Sequence, residues 1–360
     1  MIFEILNAKG KKLSHVDLIK NKIFEIVDEK GSADFAEVKW ADIKKILISR
    51  KETVGLATYY RHFWISTYKK SSGTKLYDDF LKEVSPKKKA RYKTFLLEIE
   101  DNAKDYIKIL NPRREDYNNR KEYFWLVQSL NVLMNYFNIV QVRIALLALY
   151  KVKDKGFISS KKFKETILFL ENFHFAYNAV LSSRASKFET IYAKFAINVR
   201  KCISKSESHS KIDELLIEPL NKLFPDFEQF SNGFSSLTFT KKSKPSNVKT
   251  KYAIQKLNCL IEDEEVFSDT GSIEHIVSES EGESTFSIGN LILLETKLNG
   301  DADNLSYVDK KKIYNKSSYN WMKEFVGNNE VWAIENIESR SKELAKKYYQ
   351  EIFKREIKST

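Results

Sequence analysis

Five prolines, eleven glycines and two cysteines in 360 residues leave little material for turns, strands or covalent staples. Scarce helix breakers favour long helical segments over a many-stranded sheet fold. Cys202 and Cys259 stand far apart and match no metal spacing, which excludes a disulfide framework and a zinc finger and points to two plain buried thiols in a reducing compartment. No run of eighteen apolar residues occurs, so no transmembrane helix is expected. The N-terminus, "MIFEILNAKGKKLSHVD", lacks the basic, apolar and small-residue regions of a secretory signal. A cytoplasmic protein is the expectation.

What the chain has in quantity is lysine. Lys and Arg number 61 against 49 acids, a net charge of +12. Such an excess suits a polyanion, because each phosphate neutralised by a cation releases counterions. A solvated lysine-rich surface accounts for the same count, so charge supports nucleic acid without establishing it.

Helical periodicity runs through the first 235 or so residues. Ser14 reads as an N-cap with Asp17 three residues on, followed by Val16, Ile19, Ile23, Ile26 and Val27 on one face and Gly31 beyond the end. Similar segments recur at 33–49, 54–66, 76–84, 87–110, 120–152, 160–182 and 186–204. The apolar 120–152 stretch reads as two core helices breaking near residues 137–140. "YYRHFW" at 59–64 offers rings that could stack on bases, although an aromatic stripe in a helix is usually core. His15, His62 and His174 lie in helical runs and are read as structural or surface. "SKSESHSKIDE", 204–214, reads as a polar surface loop that carries His209.

Texture changes at "TFTKKSKPSNVKTKY", with five lysines and no acid. Its plain reading is a solvated linker, residues 238–251; its functional reading is a basic strip beside a nucleic-acid groove, with Lys241 and Lys242 as phosphate contacts. Beyond it come a helix, the β-like "GSIEHIV" and "GNLILLE", and helices near 297–304, 307–316 and 331–353. The fold class expected is mainly α: a helical scaffold at 31–237 followed by a compact α+β module at 252–360.

One stretch of that module carries chemistry: "SIEHIVSESEGESTFSIGNLILLETKLNGDADN", 272–304. Glu274 and His275 are neighbours in a strand, Asn290 opens the second strand fifteen residues after His275, and Asn299 starts a helix nine residues later. A hairpin packed on a helix can gather these side chains in one cleft. That cleft suits metal-assisted phosphodiester hydrolysis, in which a neutral imidazole takes a proton from water and a hard cation sits on carboxylate and amide oxygens.

The order Glu-His, Asn, Asn resembles the HNH (ββα-metal) nucleases. More narrowly, "IEHIV", "IGNLILLETKLN" and "W-AIENIESRSKELA" resemble the C-terminal nuclease domain of GmrSD-type, modification-dependent restriction endonucleases, over about residues 250–355. The resemblance implies that His275 is the general base, that Glu274 and Asn299 are ligands of Mg2+ or Mn2+, and that Asn290 fixes the loop between the strands and so orients His275. Lys297, with Lys241 and Lys242, would contact the DNA. The family's proline after the His-Ile-x triplet is Ser278 here and the following residue, often Gln, is Glu279, a change expected to loosen the loop. The opening residues, 1–30, resemble the end of the ParB-like domain that precedes this nuclease. The family's nucleotide-binding motif is absent from this chain, so the resemblance implies either that the chain is a fragment or internal start, or that a separate ParB-like nucleotide-binding subunit is its partner. Apolar Ile2, Phe3, Ile5 and Leu6 would pack on that half. The competing expectation is a truncated, non-catalytic subunit or helical adaptor that binds DNA or a partner chain.

Overall fold

A computed structural model describes residues 14–27, 35–51, 53–84, 89–242, 244 and 247–357. The cluster Ile2, Phe3, Ile5, Leu6 and the glycine at 31 lie outside the described residues. The fold is mainly helical with one small two-stranded sheet among the described residues. No helix among them is long and apolar enough to cross a membrane. The chain divides into two compact units, Met1–Phe169 with Arg184–Lys222, and Leu170–Ser183 with Leu223–Thr360.

The first unit is built from amphipathic helices. In His15–Val27 the expected cap forms: the Asp17 N–H donates to Ser14 Oγ at 3.2 Å and the Ser14 N–H to Asp17 Oδ2 at 3.1 Å. Val16, Ile19, Ile23 and Val27 are buried on one face. On Leu56–Thr67 the rings of Tyr60, Phe63 and Trp64 are buried against Phe95 of Lys89–Leu110 and Tyr59 against Tyr106 of the same helix, so this aromatic stripe is core. The apolar run forms Phe124–Asn131, a wide turn Val132–Tyr136, and Val142–Asp154. Between them Asn138 takes a left-handed φ of 52°, a conformation Asn tolerates better than most residues.

Residues 205–212 are helix, not loop. Ser204 caps it by accepting from the Glu207 N–H at 3.2 Å, and Glu207 accepts from the Ile203 N–H at 3.0 Å. That serine cap, with Glu207 reaching back to the residue before it, outweighs the polarity that suggested a loop. His209 Nε2 accepts from the Ser159 N–H at 3.2 Å, a structural contact.

The second unit has an aromatic core in which Phe175, Phe230, Phe234, Tyr252, Tyr348 and Phe353 pack ring on ring. Its sheet pairs β1, Gly271–His275, antiparallel with β2, Leu291–Glu295, in the register Gly271↔Glu295 to His275↔Leu291. Leu291, Ile292, Leu293 and Leu294 are all buried, which explains the unbroken apolar run of β2. The helices Asn247–Glu262 and Asn320–Asn328 pack on β2, and Thr296–Ala302 on both strands.

Among residues 238–251, the described ones pair with the loop before β2 and with the start of the next helix. Thr238 bridges Ser287, the Phe239 N–H donates to Phe286 O at 2.9 Å, and the Ile288 N–H donates to Leu237 O at 2.9 Å. Asn247 already begins the next helix, and its Nδ2 donates to Thr240 O at 2.7 Å. Backbone pairing with the loop before β2 draws the strip into the second unit.

Candidate active site

His275 ends β1 and is 4% exposed. Its Nε2 lies 3.0 Å from the Phe239 carbonyl oxygen. A carbonyl only accepts, so Nε2 carries the hydrogen and Nδ1 keeps the lone pair. Burial pushes the imidazole pKa below its usual value, and the Phe239 carbonyl only partly restores it. The strip that reads as a linker therefore supplies the atom that fixes the tautomer. Glu279 ties that strip down, its carboxylate accepting from the Thr240 hydroxyl and from the Lys241 N–H at 2.9 Å. Burial alone would raise the Glu279 pKa, but these bonds hold it below the usual range.

Ser278 does not loosen the loop. Its Oγ caps the turn Glu279–Glu281 by accepting from the Ser280 N–H, and its hydroxyl donates to Asn304 Oδ1 at 2.6 Å. Two polar ties replace the rigidity of a proline.

Glu274 points to the other face of β1, as strand alternation requires. It is 3% exposed, and its Oε1 accepts from Lys310 Nζ at 2.7 Å and from the Tyr314 hydroxyl at 2.7 Å. Lys310, 0% exposed, also donates to the His275 carbonyl at 2.6 Å. Burial raises the Glu274 pKa and Lys310 opposes that rise. Burial, with the Glu274 charge beside it, pushes the Tyr314 phenol well above its ordinary value.

Asn290 is fully buried and clamps the loop. Its Nδ2 donates to Val277 O and Thr285 O, both at 2.8 Å, and its Oδ1 accepts from the Val277 N–H at 2.8 Å. On either side, Arg340 Nη1 donates to Gly289 O at 2.6 Å and Leu291 O at 2.9 Å. The Arg340 guanidinium packs over Trp321, Phe325 and Trp332, and burial lowers its pKa to about 10. Asn299, in Thr296–Ala302, donates from Nδ2 to Ile273 O at 2.9 Å, which leaves Oδ1 as its acceptor atom. Lys297 and Lys242 are exposed, and Lys241 Nζ lies 3.3 Å from Asp303 Oδ1 at the surface.

A hard divalent cation takes oxygen ligands, usually one or two carboxylates together with substrate phosphate oxygens and waters, so Asn299 could supply one ligand and not a whole site. Asn299 fits: its amide N–H is anchored on β1 and its oxygen is oriented by that anchor. Glu274 does not fit, because a cation at Oε1 would meet the Lys310 ammonium. Among the described residues no group of three or more His, Cys, Asp or Glu side chains could hold a metal. Sequence reasoning missed Phe239, Lys310, Tyr314 and Arg340. The signals were a lysine and tyrosine four apart in "DKKKIY" and the arginine of "IESRSKELA".

Residues 224–347 match the family model of the GmrSD restriction endonucleases, C-terminal domain. No curated protein matches the chain.

Proposed function

We propose, for a chain whose residues 224–347 match the family model of the GmrSD restriction endonucleases, C-terminal domain, that the second unit is an HNH-type nuclease hydrolysing phosphodiester bonds of DNA in restriction or phage defence. The observation that carries this reading is the Nε2–H to Phe239 carbonyl bond at 3.0 Å. It presents the Nδ1 lone pair of a buried imidazole, which is what a general base needs. Nδ1 takes a proton from water, the water oxygen bonds to phosphorus, and the P–O bond to the leaving oxygen breaks. That oxygen takes a proton from solvent, and His275 returns its own to solvent. A bound Mg2+ or Mn2+ would neutralise charge on the phosphate. Asn299 Oδ1 would hold it. Lys241, Lys242 and Lys297 would meet backbone phosphates, and a separate ParB-like chain would supply nucleotide control.

The test is cleavage of supercoiled plasmid by the purified chain. Activity should vanish in chelator and return with Mg2+ or Mn2+. His275→Ala should lower the rate at least about 100-fold with the circular dichroism spectrum unchanged. Undiminished cleavage by folded His275→Ala protein would sink the assignment.

A further inference from the structure

We propose that Lys310 is a positioning residue for His275, and that Glu274 is its buried counter-ion rather than a metal ligand. This rests on His275 as the base. The ammonium of Lys310 is 0% exposed and has two partners, Glu274 Oε1 at 2.7 Å and the His275 carbonyl oxygen at 2.6 Å. The Tyr314 hydroxyl, one helical turn on, binds the same Oε1 at 2.7 Å. An ammonium cannot stay charged in an interior without a counter-ion, so Glu274 is what allows Lys310 to reach the backbone of the catalytic strand. Strand alternation puts this cluster behind β1, while the His275 ring faces the Phe239 carbonyl. The residue is thus held at two points, its ring by Phe239 and its carbonyl by Lys310. Moving Glu274 to a metal would strand the ammonium with one neutral carbonyl. Lys310 touches no reacting atom and acts through the strand.

The experiment compares Lys310→Met, Glu274→Gln, the double variant and His275→Ala, with Mg2+ titrations and 15N spectra of the His275 ring. Each single variant should lower kcat about 30-fold with KM for DNA within about twofold, and the double variant should be no worse than the poorer single, as members of one unit behave. The Nε2–H tautomer should lose population in Lys310→Met, which a distant loss of stability would not cause. Tyr314→Phe removes one donor and keeps the ring. It should lower kcat about fivefold in a fully folded chain, and it decides the matter if Lys310→Met does not fold.

Wild-type kcat and tautomer in Lys310→Met or Tyr314→Phe, with His275→Ala inactive, overturn the clamp and leave the base in place. A Glu274→Gln defect repaired by excess Mg2+, with Lys310→Met unaffected, returns Glu274 to the metal and also overturns it. If His275→Ala stays active, the assignment of His275 as the base falls, and the ring spectra still judge the clamp.

Discussion

A general base works only while its lone pair is free, so the pH at which His275 sheds its proton sets the acid limit of the proposed reaction. Burial pushes that pKa below the ordinary histidine value, with the Phe239 carbonyl and the nearby Glu279 opposing and Lys310 and Lys241 adding to the fall. A bound cation would push in the same direction. The acid limb of kcat should therefore have its midpoint below the model-peptide value of about 6.5. A rate profile from pH 4.5 to 8 at fixed Mg2+ checks it, and a midpoint above that value counts against His275 as the titrating base. The adjacent residue answers to a different environment. Glu274 is shifted upward by burial, yet its carboxylate accepts from an ammonium, so one peptide bond separates a base from an anchor.

At the scale of elements, the turn Ile288–Asn290 shows why a motif has its glycine. A Cβ on Gly289 would sit on the Ile337 carbonyl oxygen, and its neighbour Ser341 is also too close. Only a bare backbone lets Ile337–Lys347 approach closely enough for Arg340 to reach the Gly289 and Leu291 carbonyls. Gly289→Ala should cost roughly 3 kcal/mol of stability, read as a fall in the urea midpoint, whereas the open Gly300→Ala should not. Local signals made much of this unit legible. The apolar run of β2, the Asn290 turn and the helix that carries Asn299 all stand in one continuous stretch, although that helix starts three residues earlier, at Thr296. Contacts between distant segments were not legible. Nothing in "TFTKKSK" marks the Phe239 carbonyl as a partner for His275, because any residue type supplies a carbonyl and only backbone pairing with 286–288 delivers it. Lys310 was hidden for a related reason: among three consecutive lysines, composition does not tell the buried one from its exposed neighbours. The helix Asn320–Asn328 also escaped notice, its start at Tyr319–Asn320 lacking a side-chain cap.

Across the whole molecule, each unit encloses a histidine away from the candidate site. His62 lies in the first unit, with Nδ1 2.8 Å from the Tyr106 hydroxyl; burial, then the charges of Arg143 and Arg61, lower its pKa to about 3. His174 lies in the second; burial lowers its pKa to about 4 against the pull of Asn178. Unfolding would return both to the ordinary value of about 6.5. Above that pH neither state binds the proton and the full stability is present. As pH falls below it, the unfolded chain takes up protons that the folded chain refuses, and stability drains until the folded pKa is reached. The loss should be about 2 kcal/mol per histidine at pH 5. Glu274, shifted upward, works against this slope, so the measurement that isolates one histidine is a difference between proteins. Urea unfolding at pH 7.5 and pH 5 should show wild type losing more stability between the two than His62→Gln, by about that amount, whatever the variant's stability at pH 7.5. Equal losses in the two proteins would mean that His62 is free to take its proton in the folded state. The buried pair with Tyr106 would then not keep it neutral.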